Sequence, residues 1–261
     1  PVFLRQVSQK CPLHWTCAAG KAIYSSMRYY PLFLDLAEAR CLLVGAGRVG
    51  RRKAATLLEC RPASLLVLDP GMDEAAFRDS LADMDCAPLS CEARGFRPED
   101  IEGVSLVFAA TPSAEVNSAI ARLCRASGVL CNVAGPLEED ARGSFIVPAH
   151  VEDGPLVLAL STSGGSPALA RALKEDLESW LGAGYSRLVR LLEALRPRLL
   201  ALGLGSDADA EIFRAICARP LRDELMAALA GRDAARADAL LAPVLPAALS
   251  FSALEIIHGM D

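Results

Sequence analysis

The apolar positions of this chain follow two patterns, which change near residue 140. Between residues 40 and 135, short apolar runs alternate with longer segments that place apolar residues at helical spacing. Continuous apolar runs are typical of strands buried on both faces of a parallel sheet. The predicted strands are 40–44, 64–69, 87–91, 104–110 and 129–133, and the clearest helices are 48–60 and 113–127. The pattern predicts an α/β fold with a doubly wound parallel sheet.

Beyond residue 140 the pattern predicts a small mixed region and then helices. Two strands are predicted at Ser144–Ala149 and Pro155–Ser161, joined by a polar turn at 152–154. Ser166 and Pro167 then suit the N-cap and the first position of a helix. Almost everything from residue 167 onward is predicted helical, with breaks at 203–205, 219–220 and 242–243.

These patterns divide the chain into four expected parts. Residues 1–26 lack clear periodicity and Met27 begins the patterned segment, so 1–26 are expected to be upstream or disordered sequence. The parts that follow are a nucleotide-binding domain at 27–140, a small α+β region at 141–180 and a helical C-terminal domain at 181–261.

Composition narrows the classes of protein that fit. The 261 residues carry a net charge of −5, which argues against general binding to nucleic acid. No apolar run is long enough to span a membrane. The nine cysteines include no Cys-x-x-Cys pair. Cys41 and Cys131 fall within predicted strands, so a reduced, cytoplasmic setting is predicted rather than a disulfide framework.

A glycine-rich turn connects the first predicted strand to the first predicted helix. Gly45, Gly47 and Gly50 have the Gly-x-Gly-x-x-Gly spacing of a dinucleotide-binding unit. The helix that follows offers free N–H groups and a positive dipole end to phosphates. Asp69, followed by Pro70, ends the next strand, 19 residues after Gly50, where a carboxylate binds the adenine ribose. An acid there favours NAD over NADP, because it would repel a 2′-phosphate.

Several further segments occur with this turn in a specific order. They are Tyr30–Leu36, the Arg52-Lys53 pair, Ala109–Thr111 with Val116-Asn117, Asn132-Val133, Ser144–Ala149 and Ser161–Ala170. The set resembles the precorrin-2 dehydrogenase family, which includes the N-terminal module of siroheme synthase. The resemblance is strong over residues 28–180 and loose over the helical tail. It implies a Rossmann domain, a dimerisation and substrate-binding region at 141–180, a helical domain and a homodimer.

The resemblance also implies an activity and residues that contact the cofactor. It implies oxidation of precorrin-2 to sirohydrochlorin with NAD, and some relatives also insert ferrous iron. Arg48 and Val49 match positions where the family touches NAD. Thr111 ends the fourth strand at the carboxyl edge, where it either contacts the cofactor or is an ordinary loop threonine. Arg51, Arg52 and Lys53 are expected to be solvated charges.

Substrate contacts are expected in two places. A modified tetrapyrrole is a flat apolar ring edged by carboxylates. The loop with Thr162, Ser163 and Ser166 precedes a helix N-terminus, so its hydroxyl and N–H groups suit a carboxylate. Asn132 is the second expected substrate contact. Arg171, on the helix that follows Ser166, is expected to pair with Glu175 at the surface.

One position departs from the family pattern. The family carries an acid, usually Asp, two residues after Asn-Val, and this acid is credited with proton transfer. This chain has Gly135 there. The longer loop that follows contains Glu138, Glu139 and Asp140, and Asp140 is the first choice to replace the missing acid. No metal-ligand cluster is predicted, so the sequence supports iron insertion less well than it supports oxidation with NAD.

Two other functional classes are compatible with these features. A non-catalytic tetrapyrrole carrier of the same fold would explain the absent acid. An NAD-sensing regulator would use the helical tail for interactions, but no basic recognition helix supports DNA binding.

Overall fold

A computed structural model of the protein describes residues 29–82, 88–135, 141–182, 184–249 and 252–253. Five parallel strands form its central sheet in the order β3-β2-β1-β4-β5. These strands are β1 Arg40–Val44, β2 Ser64–Leu68, β3 Leu89–Glu92, β4 Leu106–Ala109 and β5 Leu130–Val133. The connecting helices are α1 Arg48–Glu59, α2 Glu74–Asp79 and α3 Ala114–Ser127. The predicted doubly wound α/β fold is therefore confirmed.

The strand register places the carboxyl ends of three strands side by side. Val44, the last residue of β1, pairs with Leu68 on one side and with Ala109 on the other. The carboxyl ends of β1, β2 and β4 therefore lie at one edge of the sheet. Ligands bind beyond this edge in open α/β sheets.

Apolar side chains cover both faces of the sheet. Leu43 and Phe108 pack with Ala54 and Leu57 of α1 on one face. Leu42, Val107 and Cys131 pack with helix α3 on the other. Cys41 and Cys131 are buried and free, as predicted. Burial on both faces explains why these strands are continuous apolar runs.

The small region after β5 differs from its prediction. An antiparallel hairpin forms from β6, Ala149–Asp153, and β7, Leu156–Leu160. The strand predicted at 144–149 is therefore wrong, because β6 begins only at Ala149. The Ser144 N–H instead donates to the Cys131 carbonyl at 2.8 Å, and the Ser144 hydroxyl accepts from the Cys131 N–H at 2.8 Å. The segment preceding the hairpin thus lies along the edge of β5.

The described residues from 167 to 241 are mainly helical, as predicted. The helices are α4 Pro167–Leu181, α5 Gly184–Ala201, α6 Ser206–Cys217, α7 Leu221–Ala230 and α8 Ala234–Leu241. Helix α4 packs against β6, whereas the later helices share a separate core around Leu191, Leu195 and Leu225. The break between α4 and α5 was not predicted. None of the helices described here is long and apolar enough to cross a membrane.

Candidate functional site

The glycine turn packs tightly against the chain that follows β4. Gly45 has φ +106°, and its N–H donates to the Leu68 carbonyl at 2.8 Å. A Cβ at Gly45 would lie 2.5 Å from the Ala110 carbonyl oxygen and 2.8 Å from the Thr111 nitrogen. A Cβ at Gly50 would overlap the Gly45 carbonyl oxygen. Gly45 and Gly50 therefore allow close packing between segments of the protein itself, and they do not make room for a ligand.

Gly47 is the position of the turn that is open to a ligand. It is the N-cap of α1 with extended backbone and no side-chain cap, and a Cβ there would meet nothing within 4 Å. The first N–H groups of a helix lack partners within the helix and attract anions. Arg48 is exposed and Val49 is half-buried in this first turn. The end of α1 therefore has room for a phosphate.

Asp69 connects the end of β2 to the glycine turn. Its Oδ2 accepts from the Ala46 N–H at 2.8 Å, and its Oδ1 accepts from the Gly71 N–H at 2.8 Å. Each carboxylate oxygen has a further lone pair that can accept from a ribose hydroxyl. Asp69 is half-buried and Pro70 is exposed. The ribose contact stays a prediction, and the backbone bonds fix the carboxylate for it.

The buried amide of Asn117 holds the chain after β4. Its Oδ1 accepts from the Thr111 N–H at 3.1 Å and from the Thr111 hydroxyl at 2.8 Å, while its Nδ2 donates to the Thr111 carbonyl at 2.9 Å. Asn117 is 2% exposed. The Val116-Asn117 motif in the sequence did not predict this structural role of Asn117. Thr111 is half-buried, and its contact with a cofactor stays a prediction.

A second polar group lies over the β4–β5 pair, on the face that α1 covers. The Lys53 Nζ donates to the Asn132 Oδ1 at 2.6 Å and lies 4.9 Å from the centroid of the Phe108 ring. Burial, together with repulsion from Arg52, lowers the pKa of the Lys53 ammonium to about 8. The expectation that Lys53 is a solvated charge is therefore wrong, whereas Arg51 and Arg52 are exposed as expected.

The sequence contains a signal that would have identified Lys53. Gly50 and Leu57 are buried on α1. Residues three and four apart lie on one face of a helix, and Lys53 stands three after Gly50 and four before Leu57. Helical spacing therefore places this lysine on the buried face.

Asn132 is buried and bonded at both ends of its amide. It is 8% exposed, and its Nδ2 donates to the Phe145 carbonyl at 3.1 Å. Phe145 packs edge-on against Phe108, with ring centroids 5.6 Å apart. The contacts seen here make Asn132 a group that positions Lys53 and Phe145. A direct contact between Asn132 and a substrate stays a prediction.

Local hydrogen bonds shape the loop before α4. The Ser166 hydroxyl accepts from the Leu169 N–H at 3.2 Å, which confirms the predicted N-cap. The Thr162 hydroxyl accepts from the Ser166 N–H at 3.2 Å, and Ser163 is exposed with φ 53°. Arg171 pairs with Glu175 at 3.3 Å, as expected. Substrate binding by this loop stays a prediction.

Gly135 follows β5 with φ +98° and open space around it. Glu138, Glu139 and Asp140, the proposed replacements for the family acid, lie outside the described residues. Within the described ranges, no group of three or more His, Cys, Asp or Glu is arranged to hold a metal ion.

Comparisons with known proteins identify relatives of this chain. Residues 32–149 match the model of a family described as putative NAD(P)-binding. The siroheme synthase of Chromobacterium violaceum is 35% identical over 253 residues, which are 90% of this chain and 52% of that protein. The siroheme synthase of Nitrosomonas eutropha is 36% identical over 162 residues, which are 62% of this chain and 33% of that protein. This chain thus spans about half or less of the length of these relatives.

A solved structure supports the fold. "SirC, precorrin-2 dehydrogenase" superposes with a TM-score of 0.61 at 24% identity, over 83% of this chain and 98% of that chain. The resemblance that the motifs indicated is confirmed by the sequence relatives, and the fold by this structure.

Proposed function

We propose that the protein oxidises precorrin-2 to sirohydrochlorin with NAD, because residues 32–149 match the model of a putative NAD(P)-binding family and the chain is similar to part of the siroheme synthases. The observation that carries the proposal is the uncapped N-terminus of α1 at Gly47, beside the fixed carboxylate of Asp69. In the reaction the substrate loses two hydrogens, one as a hydride to the nicotinamide and one as a proton.

The residues at the carboxyl edge of the sheet bind different parts of NAD. The N–H groups at Gly47, Arg48 and Val49 bind the pyrophosphate, since this helix end has no side-chain cap. Asp69 accepts a hydrogen bond from the adenine ribose and disfavours a 2′-phosphate. The chain at Thr111 supports the nicotinamide end, where bound NAD supplies the hydride acceptor.

In the proposed complex the substrate lies against this cofactor, and its carboxylates bind at the N-terminus of α4. Thr162, Ser163 and Ser166 stand at the N-terminus of α4, which attracts anions. Hydride transfer depends mainly on positioning the substrate against the nicotinamide. We assign the accompanying proton to Asp140, because Gly135 has no side chain that could take it.

The test is anaerobic absorbance spectroscopy of the purified protein with fresh precorrin-2, with and without NAD. We expect the sirohydrochlorin spectrum and NADH to appear together, and only when NAD is present. Asp140→Ala should slow this oxidation, and Glu139→Ala is the matched control. A wild-type rate for Asp140→Ala would reject the assignment of the acid, and no turnover by the unaltered protein would reject the dehydrogenase.

A non-catalytic tetrapyrrole carrier is the second candidate. Gly135 favours it, because the family acid is absent at that position. A carrier would bind the tetrapyrrole and leave its spectrum unchanged by NAD, so the same experiment distinguishes the two functions. Addition of ferrous iron to the product would further test for insertion of the metal, which would convert the sirohydrochlorin spectrum to that of siroheme.

We also propose a homodimer that functions in the reducing cytoplasm. Large apolar side chains of α4 and the hairpin are exposed, namely Val157, Leu169, Leu173 and Trp180. The six described cysteines are free. Analytical ultracentrifugation should give a dimer that Leu173→Arg dissociates. Leu204→Arg, which alters an exposed leucine outside this set, should leave the dimer intact.

A further inference from the structure

We propose that Lys53 binds a carboxylate of the tetrapyrrole substrate and that Asn132 positions the ammonium for this contact. The inference rests on the proposed function, and it assigns a specificity role to a side chain outside the glycine turn.

Lys53 is a cation without an anionic partner in the described part of the chain. Its ammonium has three N–H donors, and one of them donates to the Asn132 Oδ1. The causes of its altered pKa are burial and repulsion from Arg52, with no carboxylate among them. Removing an ammonium from water costs free energy unless an opposite charge pairs with it. A bound carboxylate would supply that charge.

The geometry of α1 places this cation near the cofactor. Lys53 stands six residues after Gly47, or about 9 Å along the helix axis. Helical side chains tilt toward the helix N-terminus, so the long lysine side chain extends back toward the phosphate end. Phe108 and Asn132 pair across β4 and β5, one residue before both strands end. The ammonium is therefore held close to the carboxyl edge of the sheet.

Asn132 fixes the direction in which Lys53 donates. Its Nδ2 donates to the Phe145 carbonyl, so the acceptor end of the same amide must face Lys53. The edge-on packing of Phe145 against Phe108 holds that carbonyl in place. The ammonium is thus anchored through one hydrogen bond and keeps two donors for an anion.

The surroundings favour a carboxylate of a ring system over a phosphate of the cofactor. Phosphates have the open helix end at Gly47 available, whereas Lys53 lies over the face of an aromatic ring. A flat apolar macrocycle with acidic side chains matches this combination of aromatic surface and positive charge. Separate binding experiments distinguish a carboxylate of the substrate from a phosphate of the cofactor.

The test compares Lys53→Met with Lys53→Arg and with Arg52→Met. Methionine keeps the unbranched apolar stem, arginine keeps the charge, and Arg52→Met removes an adjacent exposed charge. The probe is sirohydrochlorin, titrated by fluorescence, with its octamethyl ester as the uncharged counterpart and NAD titrated separately. Thermal melts of all variants verify folding.

We expect Lys53→Met to weaken sirohydrochlorin binding roughly 10- to 100-fold, the range for a charge-assisted hydrogen bond. Binding of the ester and of NAD should remain at the wild-type level. Lys53→Arg should restore most of the loss and Arg52→Met should show none. Asn132→Leu should give an intermediate loss for the acid and none for the ester, which a purely structural role would not produce.

Three outcomes would overturn the proposal. Weaker NAD binding in Lys53→Met would assign the ammonium to a phosphate. Equal losses for acid and ester would make Lys53 a structural tie between α1 and β5, and unchanged binding of both would give it no role. Binding is measured apart from oxidation, so a protein that binds the acid through Lys53 but never reduces NAD would contradict only the proposed dehydrogenase.

Discussion

The glycine turn gives two substitutions with opposite expected effects. Gly45→Ala should destabilise the protein, because Gly45 has φ +106° and a Cβ there would meet three backbone atoms within 2.8 Å. Gly47→Ala should leave stability nearly unchanged, because its Cβ would enter open space. The same Gly47→Ala change should weaken binding of NAD, since the added methyl group occupies the place of the pyrophosphate.

The structure sets the magnitude for Gly45→Ala. A non-glycine residue at such a backbone angle costs about 1–3 kcal/mol, and overpacking against neighbours that cannot move away costs about 1–3 kcal/mol more. The three atoms in question belong to Ala110 and Thr111, whose backbone Asn117 and β4 hold in place. We therefore expect the free energy of unfolding to fall by at least ~2 kcal/mol, which combines the low ends of these two costs.

Far-UV circular dichroism during thermal and urea denaturation measures this loss. For a chain of this size, ~2 kcal/mol corresponds to a melting temperature lower by roughly 4–8 °C. Gly47→Ala should stay within about 1 kcal/mol of the wild type, the usual scale of N-cap changes. Its affinity for NAD, measured by calorimetry, should fall at least about 10-fold, or ~1.4 kcal/mol.

Two results would refute this reasoning. A wild-type melting temperature for Gly45→Ala would mean that the turn is not packed against Ala110 and Thr111. Wild-type NAD affinity for Gly47→Ala would mean that the phosphates do not approach this helix end, and the cofactor assignment would then be wrong.

Three further predictions concern the polar groups around the site. Affinity for sirohydrochlorin should fall as pH rises through about 8, the pKa of Lys53, because the ammonium loses its proton there, and Lys53→Arg should flatten the profile. The pKa of Lys53 in the folded protein lies below its ordinary value of 10.5, so the free energy of unfolding should rise as pH increases from about 8 to 10.5. The urea concentration at the unfolding midpoint should rise over the same pH range. A constant midpoint would contradict the burial of the ammonium. Asn117→Ala should cost about 1–3 kcal/mol, because the Thr111 groups lose buried partners, and should weaken NAD binding; a destabilised variant with wild-type NAD affinity would separate this loop from the cofactor.

The sheet could be predicted from sequence because each strand is a short apolar run with its own boundaries. Cys41–Val44 is followed directly by the glycine turn, and Ser64–Leu68 ends at an acid, so both strands were placed within one residue. The run at 144–149 misled for a physical reason. Its apolar residues match a strand, but Ser144 bonds the edge of β5 through both backbone and side chain. The pattern of apolar residues alone does not distinguish a strand from an irregular segment that is bonded to the edge of a sheet.

The site was predictable only where a motif is local. The spacing of Gly45, Gly47 and Gly50 lies within one turn, so its geometry follows from the sequence. Lys53, by contrast, bonds a residue that only the fold brings close to it. The Lys53–Asn132 bond joins positions 79 residues apart. Such pairs require the strand order, which the chain pattern does not provide.

The position of Lys53 bears on how a chain with Gly135 in place of the family acid could still be an oxidoreductase. Oxidation with NAD demands that one carbon of the substrate lies against the nicotinamide, and this demand is met by binding groups rather than by an acid. Helix α1 carries such groups at two levels, the open N-terminus at Gly47 and the ammonium of Lys53, whose backbone lies about 9 Å further along the axis. If the two levels hold cofactor and substrate respectively, one rigid helix fixes their separation. Loss of the acid would then slow proton removal while the geometry for hydride transfer is retained.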